Sequence, residues 1–152
     1  MDDIPGFEDV LQSVVILASF IPMLMDTGGN SGSQSSTLII RGLALGEITT
    51  KDIFKVIFKE FKVSIVVASI LSSVNFLRLY FFTSAGFMVS LTVCASLFFT
   101  IVLAKVVGGI LPIISKKLNL DPAIMASPLI TTIVDAFALI VYFAFAKLLL
   151  GI

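Results

Sequence analysis

Four long apolar runs, each set off by a short polar stretch, constrain this chain more than any motif it carries. They cover approximately residues 9–27, 63–82, 87–115 and 122–150. A helix needs about 20 mostly apolar residues to cross the hydrocarbon core of a bilayer, and each run approaches or exceeds that length. Within lipid, backbone polar groups must be paired inside the segment itself, which favours helices for such spans. Composition agrees. Hydrophobic residues make up 58% of the 152 residues and charged ones 13%, against roughly 45–50% and about 25% in soluble domains. The expected fold is all-α: one polytopic membrane domain over residues 1–152, with four transmembrane helices.

The connections differ in kind. "TSAG" (Thr83–Gly86) reads as a tight turn and "KKLNLD" (Lys116–Asp121) as a short basic one. Asp121 is placed to cap the fourth helix, and Pro122 suits its first position. Residues 49–62 have helical periodicity, with Ile53, Phe54, Ile57, Phe58 and Phe61 on one face and Lys51, Lys55, Lys59 and Lys62 elsewhere. Thr49 and Asp52 resemble a capping box. This connector is expected as an amphipathic helix lying in the membrane interface.

Positive charge sets orientation. Arg41, the four connector lysines, Lys116 and Lys117 fall on one side of a four-span arrangement, with Arg78 and Lys147 near the other. Loops 41–62 and 116–117 are therefore expected in the cytoplasm and both termini outside, in the cell membrane. Asp2, Asp3, Glu8 and Asp9 occupy the place where a signal peptide would be positive.

Several chemistries lack their parts. Histidine is absent and Cys94 is the lone cysteine, so neither an intrachain disulfide nor a Cys/His metal site can form. Net charge is zero, and no basic tract points to nucleic acid. The glycines of "GNSGSQSS" have no lysine after them to make a phosphate loop. "DTG" at Asp26 matches an aspartic-protease motif, but both flanks read as helix where that chemistry uses a β-rich frame. The chain is not expected to be an enzyme.

An ionisable residue within a span is costly and points to function. Asp135 lies deep in the fourth run. Ser127, Thr131 and Asp135 recur at steps of four and form one polar stripe, which Ala138 and Tyr142 are expected to continue. The bland reading is a protonated aspartate packed between helices; the sharper one is a carboxylate facing a cation. Lys105, in the third run, either snorkels toward the basic end or bridges to Asp135. Residues 26–36, "DTGGNSGSQSS", are expected to break the first helix, since non-helical backbone is tolerated where it lines a watery cavity. Exposed carbonyls, Asn30, Gln34 and the serines would then add hard oxygen donors, suited to Mg2+ or Ca2+. One carboxylate per chain matches half the charge of a divalent ion, so a symmetric homodimer with its pore on the two-fold axis is expected.

The stretch "PMLMDTGGNSGSQSSTLIIRGLALGEI", headed by Pro22, resembles the signature of the MgtE family of magnesium channels and transporters. So does "GGILPIISKKLNLDPAIMASPLITTIVDAFALIVYFAFAKLLL", and the resemblance covers nearly the whole chain. It implies a homodimer whose pore lies between subunits, lined by the helix carrying "GGNSGSQ" and by the last helix. It implies that Asp135 is the pore aspartate that holds a hydrated Mg2+, with Thr131 where the family uses a main-chain carbonyl. Gly28, Gly29, Asn30, Gly32 and Gln34 match the motif near the cytoplasmic end. There are departures. Ser127 and Ser33 stand where members often have Asn, and Asp26 replaces a small residue. The family's membrane domain has five spans, so this chain is expected to begin after the first, without the N-terminal and CBS regulatory domains.

The resulting expectation is a Mg2+-selective channel or facilitator working as a homodimer in the lipid bilayer, with Mg2+ as the transported ion. Asp135, Thr131 and Ser127 would meet the metal; Pro22, Asp26, Gly28, Gly29, Asn30, Gly32, Gln34 and Ala138 would line the pore. Two alternatives stay open at this point. One is a divalent-metal exchanger coupled to Na+ or H+; the other is a non-conducting scaffold in which Asp135 pairs with Lys105.

Overall fold

The computed structural model describes residues 5–152, with side chains described from Gln12 onward; Asp2 and Asp3 lie outside the described residues. Four helices dominate it: α1 (Pro5–Ala44), α2 (Ile53–Phe82), α3 (Gly86–Lys117) and α4 (Ser127–Leu150). Short 3-10 turns at Thr50–Asp52 and Pro122–Met125 precede α2 and α4. All four helices are long and apolar enough to cross a membrane, so the chain is an all-α polytopic membrane protein.

Helix α3 is the central one. Half of its most apolar stretch is buried, against 17–22% in the other three helices, and it packs on α1, α2 and α4. Small side chains make this possible. Ser90, Thr92 and Ser96 are buried along α3 and donate to carbonyls four residues back, at 2.7–2.8 Å. Their hydroxyls are thus satisfied within the helix, and neighbouring backbones approach closely, as membrane packing favours. Leu24, Val93, Leu97, Ile101 and Tyr142 fill the core. The Tyr142 hydroxyl, buried between α1 and α4, donates to the Leu17 carbonyl at 2.8 Å.

Three elements differ from their expected form. Helix α1 runs unbroken for 40 residues through Pro22 and through the whole of residues 26–36. Glycine disfavours a helix interior by about 1 kcal/mol relative to alanine, but here the glycines lie where neighbours press closest. A Cβ on Gly28 would stand 2.7 Å from Thr100 Cγ2 on α3. A Cβ on Gly108 of α3 would collide with the carbonyl oxygen of Gly32. Close packing and the need to pair every amide in lipid override propensity.

The connector at residues 49–62 is helical from Thr50, but continuous with the second span rather than a separate interfacial helix. Asp52 sets its start, accepting from the Thr49 amide and hydroxyl, both at 2.8 Å. The fourth helix begins at Ser127 rather than 122. Asp121 accepts from the Ala123 amide at 3.0 Å and caps the 3-10 turn instead. The chain then extends at Ala126 and restarts with Pro128 in the first turn of α4, where a missing N–H costs little.

Candidate ion path

On α1 the sequence "PMLMDTGGNSGSQSS" divides between two faces. Pro22, Asp26, Asn30 and Gln34 follow one another at steps of four and are all exposed, whereas Gly28, Gly29, Ser31, Gly32, Ser35 and Ser36 are buried. The three glycines expected beside a pore are therefore packing residues. A Cβ on Gly29 would lie 3.1 Å from Thr131 Cγ2 and one on Gly32 2.9 Å from Ile130 Cγ2, so both glycines let α4 approach.

That approach brings the polar residues of two helices side by side. Ser127, at the start of α4, is exposed and its hydroxyl lies 3.3 Å from that of Ser33. Thr131 and Asp135 are half-buried on the same row. The Thr131 hydroxyl donates to the Pro128 carbonyl at 3.0 Å, which leaves its oxygen lone pairs available. Asn30, Ser33, Gln34, Thr37, Leu38 and Ser127 line an open cavity of about 660 Å³ at this seam.

Asp135 sits toward the middle of α4, half-buried, while Asp26 is exposed on the neighbouring face of α1. Lys105 does not neutralise it. That lysine is buried in α3, 6% exposed, and the bridge to Asp135 that the sequence allows is not formed. Two like charges thus share one exposed seam. Among the described residues, no three of His, Cys, Asp and Glu come together as a metal cage.

Ala138 does not line the seam as its spacing suggests. It is 1% exposed and lies in the buried row of Ile130, Val134, Tyr142 and Ala146. A step of four turns the helix by about 40° whereas a step of three turns it about 60° the other way. Beyond Asp135 the step-of-four row continues to Leu139, while Ala138 and Tyr142 belong to the parallel step-of-four row from Ile130 to Ala146 that packs into the bundle.

Glu60 adds a buried carboxylate that no motif of the sequence marks. It is 5% exposed on α2 and accepts from the Ser35 hydroxyl at 2.6 Å, in a buried bond directly behind Gln34. Gly109 makes room for it, since a Cβ there would lie 2.9 Å from Glu60 Cγ. A signal existed. Val56, Glu60, Ser64, Ala68 and Ser72 recur every four residues, and all are buried, whereas the neighbouring lysines fall between these positions.

The family model MgtE, described as a divalent cation transporter, matches residues 21–145. The chain is 41% identical over 140 residues to the magnesium transporter MgtE of Bacillus subtilis (strain 168), covering 92% of this chain and 31% of that protein. It is 38% identical over 146 residues to the magnesium transporter MgtE of Thermus thermophilus, covering 95% and 32% respectively. The magnesium transporter MgtE of Enterococcus faecalis is 26% identical over 148 residues, covering 95% and 32%. The chain thus spans about a third of the length of these relatives.

Proposed function

We propose, on the premise that the chain belongs to the MgtE family of divalent cation transporters, that it forms a Mg2+-selective channel or facilitator between two copies of itself. The observation that carries this reading is the exposed polar seam. Asp26, Asn30 and Gln34 on α1 and Ser127, Thr131 and Asp135 on α4 face outward from a bundle whose other outward surfaces are largely apolar. Carboxylates facing lipid are costly, so the seam calls for water and a second subunit. A two-fold axis beside it would place two Asp135 and two Asp26 carboxylates around one path.

Asp135 supplies the central negative charge. Mg2+ sheds its water reluctantly and is often held through that shell, so carboxylates and hydroxyls along the seam accept hydrogen bonds from the hydrated ion. Thr131 and Ser127 extend the path toward the basic end, which lies in the cytoplasm, and Asn30 and Gln34 form the inner mouth. Membrane potential drives entry at about 2.3 kcal/mol per charge per 100 mV. A scaffold held by an Asp135–Lys105 bridge is disfavoured, because Lys105 is buried in α3 and makes no ion pair with Asp135.

The test is Mg2+ flux into liposomes. Asp135→Asn is expected to reduce uptake at least tenfold while the protein still assembles; wild-type flux in that variant would overturn the assignment. Running the same assay with and without Na+ or pH gradients separates a channel from a coupled exchanger, since a channel's flux follows voltage alone.

A further inference from the structure

The basic end of α2 carries a surface that ion transport does not explain. Helix α2 has 30 residues and is about 45 Å long, against about 30 Å of hydrocarbon. The surplus corresponds to about ten residues, which places 53–62 at headgroup level. Around this segment the side chains sort into three sectors. Val56, Glu60 and Ser64 face inward and are buried. Phe54, Phe58 and Phe61 fall within about 60° of one another, and all three are exposed, Phe54 by 81% and Phe58 by 61%. Lys55, Lys59 and Lys62 fall within the adjacent sector of about 60°, all exposed, with Lys51 just before the helix. Lys62 folds back over the Phe58 ring, 4.3 Å from its centroid, so the aromatic and cationic sectors meet.

The nearby carboxylates are largely engaged elsewhere. Asp52 accepts two hydrogen bonds from Thr49 and Glu60 points into the bundle toward Ser35, while Glu47 stays exposed ahead of the segment. We propose that the Lys51, Lys55, Lys59 and Lys62 sector, with Phe54, Phe58 and Phe61 beside it, is a binding site for the phosphate headgroups of anionic phospholipids in the leaflet at the basic end. The aromatic rings would lie against the upper acyl chains while the lysines reach the phosphates, which is the division that amphipathic side chains adopt at such a boundary. Charge complementarity selects the occupant: four cations beside exposed aromatics suit an anionic lipid better than a zwitterionic one.

The chain has no tryptophan, so Phe58→Trp provides a single fluorophore at the site. The full chain carrying it is reconstituted in phosphatidylcholine vesicles containing either brominated phosphatidylglycerol or brominated phosphatidylcholine, and quenching is compared. Phosphatidylglycerol is expected to show a relative association at least about fivefold higher, the weight of one lysine at an anionic surface. Replacing all four lysines by glutamine should abolish that preference while quenching by brominated phosphatidylcholine stays unchanged, which shows that the helix still meets lipid. Equal quenching in the parent, or a preference that survives the four substitutions, overturns the proposal. So does a tryptophan that neither lipid reaches, which would show that protein covers this face. No Mg2+ enters the measurement, so its outcome is independent of the transport reading.

Discussion

Asp26 and Asp135 stand out in the sequence as carboxylates expected along one path, and the structure sets the helices that carry them side by side, with Asp26 exposed and Asp135 half-buried. Their sequence separation hides the pairing, because it depends on α1 and α4 lying together through Gly29 and Gly32. Asp26→Asn is therefore expected to lower Mg2+ flux severalfold, less than Asp135→Asn, since Asp26 is the more exposed of the two carboxylates; unchanged flux would remove it from the path. Glycine roles were half legible. The glycines were recognisable as special positions, but low helix propensity and close packing leave the same mark on a sequence, and only burial tells them apart. Gly108→Ala tests the packing reading directly. Its methyl group would meet the Gly32 carbonyl, so a loss of about 1–3 kcal/mol is expected, read as a lower midpoint of thermal unfolding in detergent.

At the scale of elements, hydrophobic length located all four helices, while their limits depended on neighbours. Helix α2 starts ten residues before its apolar run because the buried row from Val56 to Ser72 continues straight across the boundary. The local change from lysine-rich to lysine-free sequence alters one face only, so it does not end the helix. Hydrogen exchange should show continuous amide protection from about Val56 to Leu79, with no faster-exchanging break near Val63. The α1–α4 contact has its own test. Tyr142→Phe keeps the ring and removes the bond to Leu17, which is expected to cost about 1 kcal/mol, measured by the same unfolding assay.

For the whole molecule, the sequence allowed a dimer to be argued from charge, and the protomer gives that idea a face. The exposed row Pro22, Asp26, Asn30 and Gln34 and the buried row beside it make opposite expectations for labelling. Cys94 is the lone cysteine, so in a Cys94→Ala background a single cysteine at Asn30 should react with a polar thiol reagent in membranes. A cysteine at Ser31, buried in the protomer, should not. Reversed reactivities would mean that α1 is rotated relative to the proposed path. What remained illegible at this scale was which polar residues face inward, because a helix in lipid can turn either its polar or its small residues toward its neighbours.

The unbroken course of α1 has a consequence for how such a path discriminates between ions. Filters built from main-chain carbonyls owe their chemistry to backbone geometry, and changing it means refolding the loop that carries them. Through residues 26–36 of this chain the carbonyls already belong to the ladder of a continuous helix, so the ligand field along the proposed path falls to side chains and water. A field of that kind is adjustable one substitution at a time. Serine for asparagine at position 33 or 127 would retune it without disturbing the scaffold, and relatives sharing this backbone would be free to differ in the ions they prefer.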